Sequence, residues 1–205
     1  MFADDSIKIK GHLEVYAFRN PGKRIEVYDP ENTAHQALLQ QHISIDNIVL
    51  NQGKAEIIHG LTTGTNRVLA RMAIGDRGAL PSDLQVPKTP DAERLGLYHE
   101  VYRNDIQSTA TTTEGSRNEI LFVDTFYAVD IPITAYSDQT NPVMNEVMLV
   151  MCDLILGVPL PRDPVVTPAE PDIDEAGFSM VTFNSVPFKA EQETAVTVRY
   201  GIFIQ

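Results

Sequence analysis

Twelve residues, Thr194 to Gln205, constrain this chain more than any motif in it. Thr194, Val196, Val198, Tyr200, Ile202 and Ile204 fall on one side of an extended ribbon, and all six are β-branched or aromatic. A period of two with those residue types is what a pleated, half-buried strand requires. Similar ribbons recur along the sequence and are separated by Pro- and Gly-rich stretches. They predict a mainly β protein, an antiparallel sandwich or jelly-roll-like domain with one short helix and an N-terminal β-hairpin.

The hairpin is expected where Ile7, Ile9, Leu13, Val15 and Ala17 alternate with Lys8, Lys10, Glu14, Tyr16 and Phe18. Asn20-Pro21-Gly22-Lys23 then supplies turn chemistry, with Pro preset at the second place and Gly free for positive φ at the third. Arg24 to Tyr28 resumes the alternation as a second arm. Residues 1–45 are read as this hairpin module and 46–205 as the sandwich domain. Thr33 to His42 is either a short helix or irregular, and Ile43, Ile45 and Ile48 to Leu50 are expected to be buried. A helix is predicted from Asn51 through His59, closed by Gly60 or Gly64, with Leu50, Ile57, Ile58 and Leu61 on its apolar side.

Strands are predicted over Arg67–Ile74, Tyr98–Arg103, Ile120–Tyr127 and Phe178–Phe183, and Val143–Cys152 is the most apolar run of the chain. Gly75-Asp76-Arg77-Gly78 reads as a turn, residues 75–96 as a long polar loop, and Ser108–Ser116 as an exposed Thr-rich turn. Pro132 makes Ile131–Ile133 an extended connector. Residues 153–175, with five prolines and the acidic group Asp172, Asp174 and Glu175, form a second long loop.

Composition narrows the function. Acidic residues number 28 against 16 basic, a net charge of −12, which repels phosphate backbones; no nucleic-acid partner is expected. No apolar stretch approaches a membrane span, and no basic region followed by an apolar run opens the chain. The single cysteine, Cys152, lies in an apolar run beside acids that oppose thiolate formation, so it is read as a small core residue. The five histidines (His12, His35, His42, His59 and His99) have no spacing that fixes a third metal ligand. Asp172-Ile173-Asp174-Glu175-Ala176-Gly177 matches half of a calcium loop. Ala176 stands where a third acid belongs and Phe183 where the distal Glu belongs. No Gly-x-Ser-x-Gly elbow or phosphate-binding glycine loop is present. No catalytic, cofactor-binding or metal residue is therefore assigned, no cofactor is implied, and the chain is read as a non-enzyme. Tyr98, Tyr102, Phe122, Phe126 and Tyr127 are read chiefly as core, otherwise as anchors at a subunit interface or as platforms for sugars.

Several phrases together resemble a group of tailed-bacteriophage virion proteins of the tail fibre and collar type. These are Asn51-Gln52-Gly53-Lys54-Ala55-Glu56-Ile57-Ile58, Met72-Ala73-Ile74-Gly75-Asp76 and Leu97-Tyr98-His99-Glu100-Val101-Tyr102-Arg103. Met144-Asn145-Glu146-Val147-Met148-Leu149, Met180-Val181-Thr182-Phe183 and Val198-Arg199-Tyr200-Gly201-Ile202 complete the set. Met148 stands where those proteins usually have Gly, and Met180 where Arg is common. The resemblance implies a virion structural protein, assembled in the host cytoplasm, at the neck or collar, a tail-fibre attachment or the baseplate edge. It would work by forming a homo-oligomer and binding other phage neck, tail or baseplate proteins. The alternative is a receptor- or glycan-binding tail-tip module, against which the absence of Trp weighs.

Overall fold

The computed structural model describes residues 9–63, 67–114, 117–155, 158–159 and 175–204. The chain is mainly β and antiparallel, as its alternation requires. In chain order the elements are β1 (Ile9–Arg19), α1 (Thr33–Gln36), β2 (Leu39–Val49), α2 (Asn51–Thr63) and β3 (Arg67–Gly75). Next come β4 (Ala79–Leu80), β5 (Asp83–Pro87), β6 (Glu100–Asp105), β7 (Ser108–Glu114) and β8 (Arg117–Tyr127). β9 (Val143–Ile155), β10 (Val158–Pro159), β11 (Glu175–Pro187) and β12 (Thr194–Ile204) complete the set.

Nine strands run in the order β6-β3-β9-β11-β2-β1-β12-β8-β7, with β10 hanging on β9 and β4–β5 forming a separate hairpin. β11 meets β2 only at Ser179–Val49 and Met180–Ile48. The path therefore bends there into two layers, β6-β3-β9-β11 and β2-β1-β12-β8-β7, which face each other as a sandwich. Val15, Phe126, Val198 and Tyr200 from one layer meet Met72, Val147, Leu149 and Phe183 from the other in one buried cluster. Tyr102 of β6 packs edge-on against Phe126 of β8, with ring centres 6.4 Å apart. Ser179 ties the bend by donating to the Ile48 carbonyl (2.8 Å) and meeting the Tyr200 hydroxyl at 2.8 Å.

Both outer faces are also covered. Met148, Val150 and Cys152 point away from the main core and pack with Leu50, Ala73, Leu97 and Met180. Cys152 is thus a buried core residue, as expected. On the other layer, Tyr16, Phe18 and Ala195 are capped by Ile25 and Tyr28. This double coverage explains the apolar runs on both sides of β8, β9 and β12.

The N-terminal hairpin is corrected. β1 forms and the Pro21–Lys23 turn forms, with Gly22 at φ +65° as its position demands. Residues 24–28 are not a strand, and β1 lies between β2 and β12. Asn20 gives the reason. Its side chain donates to the Ile25 carbonyl (2.8 Å) and accepts the Ile25 N–H (3.0 Å), consuming both groups a ladder would need. The Tyr28 N–H goes to Thr197 Oγ1 instead, at 2.9 Å.

Other expectations shift in smaller ways. Thr33–His42 splits into the single turn of α1, capped by Asn32, and the start of β2. Val49 and Leu50 are buried, whereas Ile43, Ile45 and Ile48 are half-buried. α2 forms from Asn51 and runs through Gly60 to Thr63, so Gly60 does not close it; Gly64, the other closing residue expected, lies outside the described residues. Gly53 lies so close to β11 that a Cβ there would strike the Phe178 carbonyl. The face toward β11 carries Gly53 and Ile57, four apart, so Ile58 is turned out and 63% exposed. Residues 75–96 are not one loop, because Pro81-Ser82 turns the β4–β5 hairpin. Ser108–Glu114 is strand, since its threonines are β-branched and the whole segment pairs with β8. Ile131-Pro132 is extended, but Ile133 begins a 3₁₀ turn. Most of the 153–175 loop, with Asp172 and Asp174, lies outside the described residues; Glu175 opens β11.

Candidate functional site

β9 carries Asn145-Glu146 inside the most apolar run of the chain, and both residues are fully buried. A carboxylate taken out of water must recover its lost hydration from donors. Glu146 does so with three backbone N–H groups. Arg77 (3.1 Å) and His99 (2.9 Å) donate to Oε1, and Tyr98 donates to Oε2 at 2.7 Å. Burial still raises its pKa above the ordinary carboxylate value; the three N–H donors pull the other way. Asn145 Oδ1 accepts the Gly78 N–H at 2.6 Å, while Nδ2 donates to the Asp76 carbonyl (3.2 Å) and Ser185 Oγ (2.9 Å). Glycine is needed at 75 and 78 for this approach: a Cβ at Gly75 would strike the His99 carbonyl and Glu146, and one at Gly78 the Asn145 carbonyl.

Asp76 completes the knot. Oδ1 meets His99 Nδ1 at 2.6 Å, and Oδ2 accepts Ser137 N–H (2.6 Å) and Oγ–H (2.7 Å). Serine, histidine and aspartate are together here, but Ser137 bonds the carboxylate and not the imidazole. This order cannot move a proton from the hydroxyl to the histidine. The knot fixes backbone. It holds the Arg77–Gly78 stem and the Tyr98–His99 segment against β9.

The β4–β5 hairpin stands on this base. The Lys88 N–H closes onto the Gly78 carbonyl at 2.8 Å, and Thr182 Oγ1 of β11 donates to the Lys88 carbonyl. Lys88 Nζ and the Arg94 guanidinium lie 4.2 and 3.7 Å from the Tyr98 ring centre, so that ring is covered by two cations. Above the base, Leu80, Leu84 and Val86 are each about two-fifths exposed. The hairpin thus carries partly exposed apolar side chains and is pinned from beneath by buried polar groups.

A second constellation lies on the outer face of β1 and β2. The register sets His12 opposite Asp46 and Glu14 opposite Ser44. Ser44 Oγ is 3.0 Å from His12 Nε2, and His12 Nδ1 is 3.3 Å from Asp46 Oδ1. The connectivity is that of an acyl-transfer relay. Its setting is not, because the Asp46 side chain is 95% exposed and the face is an open strand surface. Water competes for each bond, and β1 sits between two paired neighbours that take up its amides.

A third buried acid, Asp124 of β8, takes the Thr125 N–H on Oδ1 at 2.8 Å and a bond from the Asn104 side chain. Its Oδ2 has no partner among the described residues. Burial raises its pKa to about 7, and neighbouring Asp105 adds to the rise.

The remaining sequence candidates scatter. Phe122 and Phe126 are core, Tyr102 is half-buried against it, and the Tyr127 hydroxyl donates to the Ile25 carbonyl at 3.2 Å. His42 stacks on Tyr16, with ring centres 4.5 Å apart, and His35 Nδ1 accepts the Asp29 N–H at 2.9 Å. Among the described residues no three His, Cys, Asp or Glu side chains converge as metal ligands. No helix among them is long and apolar enough to cross a membrane. Sequence reasoning missed the Asp76–Glu146 knot and the Ser44 relay. The first left a signal, since an acid inside the apolar run Val143–Cys152 must be paired. The second left none, because only the β1–β2 register brings His12 to Ser44.

No family model matches the chain, and no curated protein matches it.

Proposed function

We propose that the chain is a structural subunit of a tailed-phage virion, at a neck, collar, tail-fibre attachment or baseplate-edge position. It acts by associating with its own copies and with neighbouring virion proteins. The observation that carries this reading is the β4–β5 hairpin, whose exposed Leu80, Leu84 and Val86 ride on a base fixed by Glu146 and Asn145. Rigid support lowers the entropy lost on docking, which is what a particle component needs. The phrase-by-phrase resemblance to tail fibre and collar proteins points the same way. The reading as a non-enzyme rests on Asp76 and Glu146, whose carboxylate oxygens are all taken by backbone or side-chain partners, and on the open setting of the Ser44 relay. The glycan-binding alternative is less favoured, because Lys88 and Arg94 already occupy the Tyr98 ring.

Quantitative mass spectrometry of purified particles from the phage that encodes the chain tests the proposal. The expected result is a fixed multi-copy stoichiometry. Expression in infected cells with no copies in the particle would overturn it.

A further inference from the structure

The two ends of the nine-strand path differ in a way that bears on how copies meet. β6, at one end, carries Glu100, Arg103 and Asp105, and its acid and base pair along the strand. Charges on an edge are the usual guard against edge-to-edge pairing. The Leu39–Asn47 length of β2, which β11 does not reach, carries His42 and Asp46. β7, at the far end, reads Ser-Thr-Ala-Thr-Thr-Thr-Glu. It has no Lys, no Arg, no Pro and no acid before its last residue. Its register with β8 is unbroken from Ser108 to Glu114, so no bulge twists it away. Residues 108–111 are exposed. In a chain of net charge −12, this is a β-branched edge without charge before Glu114, and no other strand among the described residues pairs with it.

We propose that the free edge of β7 pairs antiparallel with the same edge of a second copy of this chain, about a two-fold axis at Thr111. This rests on the assembly reading above and names the surface through which it acts. The register centred on Thr111 is the symmetric one that uses all seven residues. It sets Ser108 opposite Glu114, Thr109 opposite Thr113 and Ala110 opposite Thr112. No like charges face each other, and Thr–Thr pairs suit cross-strand packing. The contact is isologous, as a two-fold requires. The layer β2-β1-β12-β8-β7 of each copy would then continue into the other as one sheet. A single short ladder buries well under the roughly 1,200 Å² of a stable interface. The pair is therefore weak on its own and gains strength when many copies are held together.

The test uses the full chain, with a concentration series by sedimentation velocity and circular dichroism to show that each variant is folded. Thr111→Lys and Thr111→Glu each put like charges opposite one another at the axis, and each should lower the associated mass. An equimolar mixture of the two should restore it. Thr111→Cys should form a disulfide-linked dimer under mild oxidation, because directly opposed Cα atoms lie about 4.5–5.5 Å apart, within disulfide reach. If wild type associates but both charge variants associate equally and the cysteine variant does not cross-link, β7 pairing is overturned and the assembly reading stands. Wild type that stays monomeric and a cysteine variant that fails to cross-link at the highest soluble concentration would overturn the pairing. The assembly reading is scored separately, by the stoichiometry in particles.

Discussion

Asp124 offers the sharpest physical prediction. Its side chain is fully buried in the inner face of β8, and one carboxyl oxygen has no partner among the described residues. Burial raises its pKa from 3.8 to about 7, so the folded state prefers the neutral acid. Well below pH 4 the group is protonated in both folded and unfolded chains and adds no pH dependence. Between about pH 4 and 7 the unfolded chain ionises first, so the native state loses stability as pH rises. Above about 7 the penalty is complete. A rise of about three units at 1.36 kcal/mol each sets its ceiling at about 4 kcal/mol. Asp124→Asn has the same shape and no charge at any pH. Its stability relative to wild type should be near zero at pH 4 and grow to about 2–4 kcal/mol in favour of the variant at pH 8. Urea unfolding across that range, read as paired differences, isolates this group because Glu146 and the other carboxyls titrate alike in both proteins. A difference that does not change with pH, or one that favours wild type at pH 8, would refute the reasoning.

Other substitutions test the remaining contacts. Glu146→Gln sets an NH₂ against N–H donors and should cost about 2–4 kcal/mol, with hydrogen exchange at Arg77, Tyr98 and His99 rising first. Gly78→Ala forces a methyl into the Asn145 carbonyl and should lower stability by about 1–3 kcal/mol, read as a fall in Tm. Asn20→Ala strands the Ile25 N–H and leaves its carbonyl to the Tyr127 hydroxyl alone, and should cost about 1–3 kcal/mol, with faster proteolysis in residues 20–28. Phe126→Ala opens the centre of the sandwich and should cost about 3–5 kcal/mol by urea unfolding.

The strands were the legible part of the sequence, because a period of two survives whichever partner a strand takes. β3, β6, β8, β11 and β12 lie where the residue pattern puts them, whereas β9 falls on the run Val143–Cys152, whose continuous apolar character has no period to read. Pairing was less legible. Arg24–Tyr28 alternates like a strand, yet two bonds from Asn20 divert it into a cap over Tyr16 and Phe18. Nothing in the local pattern distinguishes those fates. Ser108–Glu114 failed in the opposite direction, since its polarity suggested a turn while threonine's β-branch favoured the strand that β8 completes. The knot beneath β4–β5 is long-range by nature. Glu146 reaches residues 47 to 69 positions away, and only the β3–β9 pairing brings them within bonding distance.

In the proposed function this slab joins its own copies and its neighbours. Light scattering of the purified protein over a wide concentration range tests it most directly. The expected result is a mass that climbs from 22.7 kDa toward whole multiples as concentration rises. A mass fixed at 22.7 kDa at every concentration, alone and with the phage's neck, tail and baseplate proteins added, would contradict it.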